Sequence, residues 1–155
     1  LDSSLSDDAT IWNDTAPTST LISLGSYADV NRDAGLFLCY AFHSVDGYCK
    51  VGSYIGNGNA DGSFVNTGFR PRFILNKALY GSTSWVMTDT SRSTFNQTIG
   101  ALLADNRGAE QTYTYYDIVS NGFKARNTSS WVNGNGVTNI YIAFAEQPFK
   151  YSNAR

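Results

Sequence analysis

Two glycine-rich stretches of this sequence place an aromatic residue close to side chains that carry oxygen. Trp131 lies in SSWVNGNG and Tyr54 opens YIGNGNADG. Their amide and carboxylate neighbours are Asn133 and Asn135 for Trp131, and Asn57, Asn59 and Asp61 for Tyr54. An aromatic ring stacks on the apolar face of a sugar, while amides and carboxylates bond to the sugar hydroxyls. These seven residues are predicted to bind a carbohydrate. The alternative is that the aromatics close the ends of the fold or a subunit interface.

The loop after Tyr54 and a separate loop near residue 30 resemble calcium-binding loops. Oxygen-bearing residues alternate from position 57 to position 61 before Gly62, as in the first half of an EF-hand loop. A similar alternation joins Asp29, Asn31 and Asp33. The twelfth position of the first loop is Gly68, where a glutamate belongs, and Asn, Asp and Gly also favour tight turns. We therefore predict no metal and no cofactor, with Asp29, Asn31 and Asp33 as the residues that calcium would use.

Catalytic chemistry has little support in the sequence. His43 and Ser44 are adjacent, and neighbouring residues on a strand point to opposite faces, so they do not form the nucleophile and base of a triad. Glycoside hydrolysis needs two carboxylates that flank a cleft. Glu110 and Glu146 are the only glutamates, and no pairing of aspartates is evident. We predict that the protein has no catalytic residues and is not an enzyme.

Arg70 precedes a proline in the step GFRPRF. Proline fixes φ and favours extended geometry before it, so this step is predicted to form a corner between strands. Arg70 is expected to tie that corner through a carboxylate or main-chain carbonyls. The alternative function for Arg70 is the binding of an anionic glycan.

Short apolar runs separated by turn residues dominate the chain. The predicted strands are residues 19–24, 36–42, 64–66, 72–76, 85–88, 113–119, 122–125 and 141–145. Helical spacing occurs only in residues 94–106, where we predict a turn or two of helix. The pattern favours an all-β, antiparallel two-sheet sandwich of jelly-roll or concanavalin/lectin-like type with minor helix.

Two of these runs are apolar at both odd and even positions: residues 36–42 and 139–144. Strands without a polar face are covered on both sides, so both runs are predicted to lie in the middle of the fold. Their similarity, with Leu38 matching Ile140, suggests that residues 1–42 end a preceding repeat copy. Convergent patterning of a loop followed by a strand explains the similarity equally well.

Composition limits the classes of function. Charged residues make up 15% of the 155-residue chain and aromatics 14%, and a typical charged share is about 25%. The net charge of −2 provides no basic surface for nucleic acid or an anionic membrane. The length fits one domain, and the initial Leu suggests a piece of something longer. Cys39 and Cys49 are either two buried free thiols or a disulfide across a hairpin.

Several motifs occur together in a distinctive order. They are FHSVDGYCKVGSY, GNGNADGSFVNTGFRPRFILNK, SNGFKARN and YIAFAEQPFK. Together they resemble an uncharacterised domain that recurs, often in tandem, in tail-fibre and other structural proteins of marine tailed phages. The resemblance covers residues 43–150, and the segment before it looks like the end of a neighbouring copy.

The resemblance implies a structural protein of the virion, located on the tail or the capsid surface. A tail-fibre or receptor-binding module would contact host surface glycans and form a homo-oligomer, a trimer if it lies on a fibre. The alternative is an architectural or capsid-decoration module that binds only other virion proteins. A third hypothesis is a fragment of a depolymerase that cleaves host polysaccharide.

Overall fold

The computed structural model describes residues 9–147. The chain divides after Ala41 into two compact units. Residues 9–41 form one unit and residues 42–147 form the other.

Strands build the 42–147 unit. In chain order they are β1 Cys49–Ile55, β2 Phe64–Asn66, β3 Pro71–Ala78, β4 Trp85–Asp89, β5 Ile99–Leu103, β6 Gln111–Thr114, β7 Tyr116–Val119, β8 Gly122–Ala125 and β9 Thr138–Ala145. Six strands form one sheet in the order β1-β9-β3-β4-β5-β6, and three form a second in the order β2-β8-β7. All neighbouring pairs are antiparallel. The predicted all-β, two-sheet class is confirmed, while the jelly-roll or lectin-like subtype stays a prediction.

The core lies between the two sheets and is rich in aromatic residues. Phe123 of the smaller sheet is fully buried. Its ring meets Tyr54 and Tyr141 of the larger sheet edge-on at 5.9 and 5.3 Å between centroids, and Tyr116 at 5.1 Å. Such edge-to-face pairs add about 0.5–1.5 kcal/mol each beyond the area that they bury. The aromatic side chains therefore hold the two sheets together.

Strand β9 is central, as the sequence predicts for residues 139–144, since it pairs with both β1 and β3. Tyr141 and Ala143 are buried in the core cluster. Ile142 and Phe144 have the opposite parity and are half-buried. They lie on the other face of the larger sheet, where Ile142 is in register with Val51 and Leu75.

The prediction for residues 36–42 is wrong. The described chain has no strand there, and Leu36, Leu38 and Tyr40 are 98%, 76% and 75% exposed. Residues 19–24 also form no strand. Apolar character on both faces produces a strand only where neighbouring strands offer hydrogen-bonding partners on both sides.

The predicted helix in residues 94–106 is also wrong. This segment contains β5, and Gly100 has a φ of +100°, which breaks helical geometry. Phe95, an apolar residue of the predicted helix, is 85% exposed. The predicted strand 113–119 is interrupted at Tyr115, because β6 belongs to the larger sheet and β7 to the smaller one.

The 9–41 unit contains two single-turn helices, α1 Ala9–Trp12 and α2 Ala28–Asn31. Its local backbone bonds include Gly25 N to Ile11 O at 2.7 Å and Tyr27 N to Thr10 O at 2.8 Å. The described part of the chain has no helix with the length and hydrophobicity needed to span a membrane.

Candidate functional site

Tyr115 occupies the point where the chain passes from one sheet to the other. Its backbone N–H donates to Thr98 O at 3.1 Å, and its carbonyl accepts from Arg126 N at 2.9 Å. The residue is only 2% exposed. These bonds fix the Tyr115 main chain at the crossing between the two sheets.

The loop that follows β8 is built by side chains that bond to the backbone. Asn127 Nδ2 donates to Thr114 O at 2.6 Å, and Asn127 Oδ1 accepts from Ser129 N at 3.0 Å. Ser129 Oγ in turn accepts from Trp131 N at 3.2 Å, and Trp131 O accepts from Asn76 Nδ2 at 3.0 Å. Short Asn and Ser side chains favour such local turns. The loop is therefore held in one conformation on both sides of Trp131.

Between the sheet crossing and this loop lies a cavity of about 360 Å³. Its lining combines aromatic, hydroxyl and amide side chains: Tyr113, Thr114, Tyr115, Asn127, Thr128, Ser129 and Trp131. This volume lies at the low end of the roughly 300–1,000 Å³ of small-molecule sites. No charged side chain lines it among the described residues. The lining suits a compact, uncharged ligand that presents an apolar face and hydroxyl groups.

The two tyrosines of the cavity differ in environment. Tyr113 is 66% exposed and stands at the rim, whereas Tyr115 is buried. The Tyr115 hydroxyl makes no hydrogen bond to any described residue. Burial, and then the nearby Tyr113, raise the pKa of the Tyr115 hydroxyl above its ordinary value. The hydroxyl therefore stays a neutral donor and acceptor at physiological pH.

Of the seven residues predicted to bind sugar, only Trp131 lines this cavity. Trp131 is partly buried and packs against the core cluster. Its ring therefore contributes both to the cavity and to the stability of the fold.

Asn133 holds two loops together. Its side chain is fully buried. Its Oδ1 accepts from Asn57 N at 3.0 Å, and its Nδ2 donates to Asn59 O at 2.7 Å and Asn127 O at 2.8 Å. Asn57 and Asn59 also close successive turns with their own side chains, bonding Asn59 N and Asp61 N. The structure brings these predicted residues together as a turn network, with amides that bond to protein groups.

Tyr54 belongs to the core. Its hydroxyl donates to Val132 O at 2.6 Å and to Asn76 Oδ1 at 3.2 Å. Burial raises the pKa of this hydroxyl far above its ordinary value, against a smaller opposing effect of the hydrogen bond with Tyr116. The Tyr54 ring thus closes the sandwich, which is the alternative that the sequence left open.

Asp61 and Asn135 both lie on the surface. Asp61 forms ion pairs with Lys124 Nζ at 2.6 Å and Arg126 Nη1 at 3.0 Å. The hydrogen bond and positive charge of Lys124, followed by the charge of Arg126, hold the Asp61 pKa below its usual value. Arg126 also pairs with Asp117 at 2.8 Å. Asp61 therefore ties the 57–62 loop to β8.

Arg70 ties the predicted corner. Its Nε lies 2.7 Å from Glu146 Oε2, and its Nη1 donates to Ile118 O at 3.1 Å. Both bonds engage the guanidinium with protein groups, away from the cavity.

The remaining candidates lie elsewhere. Asp29 lies in the first turn of α2, and Asn31 Nδ2 donates to Gly25 O at 2.8 Å. No group of three or more His, Cys, Asp or Glu residues within 9–147 is arranged to hold a metal ion. His43 Nδ1 lies 3.0 Å from Ser44 O. Cys39 is exposed, Cys49 is buried, and both are free thiols.

Sequence reasoning missed Tyr113, Tyr115 and Asn127. The two tyrosines stand two residues apart, a spacing that would place them on one face of a continuous strand, but the strand is interrupted at Tyr115. The sheet crossing at Tyr115, which brings them against Trp131, has no local sequence signature. The cavity therefore depends on topology as much as on residue type.

A family model described as a domain of unknown function, DUF7483, matches residues 1–148. The chain belongs to this family. No curated protein and no solved structure matches the chain. The DUF7483 match includes residues 1–42 together with the sandwich, and the cavity of this DUF7483 chain lies wholly in its 42–147 unit.

Proposed function

We propose that this domain is a structural module of a phage virion that attaches to a host-surface glycan through the cavity around Trp131. The observation that carries the proposal is the lining of that cavity. It combines three aromatic rings with hydroxyl and amide groups at a size that accommodates a sugar ring. Sugars are recognised by this combination of stacking and hydrogen bonding.

The phage context rests on the motifs that resemble tail-fibre and other virion proteins. A location on the tail or capsid surface and association with other virion proteins follow from that resemblance. On a fibre the domain would assemble as a homotrimer, and the mass of the protein in solution tests this arrangement.

The proposal is binding without hydrolysis. Retaining and inverting glycosidases both place two carboxylates beside the bond that they cleave. No Asp or Glu lines the cavity within the described residues. We expect no oligosaccharide to be released when the protein is incubated with host polysaccharide.

A single site of this kind binds weakly. One sugar ring makes few contacts, and their gain is offset by ordering and desolvation. We expect a Kd of roughly a millimolar for one domain, and useful attachment only through several copies displayed together.

The test is a glycan array probed with the full 155-residue chain, biotinylated and displayed on streptavidin. Tyr113→Ala removes the rim ring without touching the core, because Tyr113 is 66% exposed. Tyr80→Ala is the matched control, since Tyr80 is 60% exposed and lies outside the cavity. We expect wild type and Tyr80→Ala to bind the same glycans and Tyr113→Ala to lose them. Equal binding by all three proteins, or none by wild type, would overturn the proposal.

A second candidate function is a purely architectural module that binds other virion proteins. It is favoured by the exposed apolar side chains of the 9–41 unit, among them Leu36, Leu38 and Tyr40. Exposed apolar patches commonly mark protein contacts. This candidate would be supported if the wild-type chain associated with other virion proteins but bound no glycan. Leu38→Ser should then abolish that association.

A further inference from the structure

We infer that the cavity around Trp131 selects uncharged sugars and that the Tyr115 hydroxyl bonds to one hydroxyl of the bound ring. This inference rests on the proposed function and specifies its ligand. Two features of the structure carry it: the absence of charge in the described lining, and the hydroxyl of a lining tyrosine, Tyr115, that bonds to no described residue.

The described lining contains no charged side chain, and the cation that precedes it along the chain is already paired. The nearest cation along the chain is Arg126, one residue before Asn127 of the lining. Its guanidinium is engaged with Asp61 at 3.0 Å and Asp117 at 2.8 Å. A uronate or sialate entering the cavity would lose water without gaining a positive partner. An amino sugar would likewise find no carboxylate among the described residues of the lining.

The Tyr115 hydroxyl identifies where hydrogen bonding occurs. A polar group that loses its water when a ligand enters is unfavourable unless the ligand supplies a hydrogen-bond partner. Tyr115 lines the cavity and is 2% exposed as a residue, while its hydroxyl oxygen is not fully buried and has no bond within the described chain. A ligand hydroxyl placed in the cavity supplies the missing partner. The neutral phenol can donate to that hydroxyl or accept from it.

The ring faces complete the arrangement. Trp131 and Tyr113 provide flat apolar surfaces, and Trp131 is held in place by bonds on both sides of its backbone. A rigid site loses little freedom on binding. The ligand class is therefore a neutral pyranose with one apolar face and free hydroxyls along an edge.

The test uses methyl β-D-galactopyranoside, methyl β-D-glucopyranoside and methyl α-D-mannopyranoside. Each is compared with the methyl glycoside of the corresponding uronic acid, whose carboxylate is free. Each pair differs only at C6, where a hydroxymethyl group is replaced by a carboxylate. Binding to the full chain is measured by saturation-transfer NMR and titration. We expect at least one neutral glycoside to bind. The affinity of the corresponding uronic acid glycoside should be lower by about tenfold or more.

Tyr115→Phe tests the hydroxyl. The variant keeps the ring and removes only an unpaired group, so we expect unchanged or slightly higher thermal stability. The affinity for the best neutral glycoside should fall about 2- to 10-fold. Tyr141→Phe is the matched control, because Tyr141 is also buried but lies outside the cavity, and its affinity should equal that of wild type.

The outcomes separate the inference from the proposed function. Equal or tighter binding of a uronate, lost in Tyr113→Ala, would overturn the preference for neutral sugars and leave glycan attachment standing. Undiminished binding by Tyr115→Phe would overturn the role of its hydroxyl. Failure of wild type to bind any sugar, here and on the glycan array, would overturn both.

Discussion

Strand β9 and residues 36–42 have nearly the same amino-acid pattern and opposite structures. Both are apolar at odd and even positions. Strand β9 lies between β1 and β3 with hydrogen-bonded neighbours on both sides. Residues 36–42 contain no strand, and Leu36 is 98% exposed. Hydrophobic patterning thus makes a segment able to form a strand, whereas the available partners decide whether it does so.

The same difference separates the two units. In the 42–147 unit the larger sheet covers the smaller one, and alternate side chains interlock around Phe123. In the 9–41 unit, Leu21, Ile22 and Leu24 are each exposed by nearly half or more. We therefore expect the free energy of folding to come mainly from the sandwich.

The largest test of this contrast compares one buried and one exposed apolar residue. Phe123→Ala should lower the free energy of unfolding by about 3–5 kcal/mol, because it leaves a cavity among aromatic rings. Leu38→Ala, at a position that is 76% exposed, should change it by less than about 0.5 kcal/mol. Urea melts followed by tyrosine and tryptophan fluorescence measure both. Similar losses in the two variants would show that residues 36–42 are packed and that the contrast is wrong.

A smaller effect is expected from two asparagines in one loop. Asn133→Ala should cost about 2–4 kcal/mol, since it removes a buried amide and leaves groups of Asn57 and Asn59 without partners. Asn135→Ala, two residues away and exposed, should be nearly neutral. Thermal melts of the two variants side by side give the comparison. A neutral Asn133→Ala would mean that the 57–62 loop is held without this network.

The smallest effect concerns acid sensitivity. The pKa of Asp61 is lowered in the folded protein, so its ion pairs stabilise the fold above the unfolded value of about 3.9 and this contribution is lost as the pH falls. The stability difference between wild type and Asp61→Asn should shrink from pH 6 to pH 3. Because the pair is exposed, the effect should be small. A stability difference that stays constant from pH 6 to pH 3 would contradict the assignment.

Local signals in the sequence were sufficient for several elements. Residues 64–66 and 122–125 are strands with the predicted bounds, because turn residues flank short apolar runs there. Strand β1 was missed. It contains Gly52, a residue type that is uncommon within strands, and a side chain at that position would meet the Tyr141 hydroxyl at 2.9 Å. Strand β5 was missed because apolar spacing of three and four residues occurred by chance around Gly100.

The candidate site was only partly predictable for the same reason. Trp131 was found from its residue type and its loop. Its partners Tyr113 and Tyr115 reach it through the crossing between sheets, which depends on contacts distant in sequence. Tyr54 and Asn133 had suitable chemistry, but their polar atoms bond to the protein. Residue type indicates what a side chain can bind, and only the fold shows whether it is free to do so.

The most direct test of glycan attachment at this cavity uses the three tryptophans, Trp12, Trp85 and Trp131, as separate reporters. Their indole N–H signals are recorded in ¹⁵N-labelled protein while the neutral glycoside that binds best is added. Only Trp131 lines the cavity. We predict a progressive, saturable shift of the Trp131 indole signal, with Trp12 and Trp85 unmoved and the Trp131 response reduced in Tyr113→Ala. A shift confined to Trp12 or Trp85, or no shift at saturating sugar, would contradict the account.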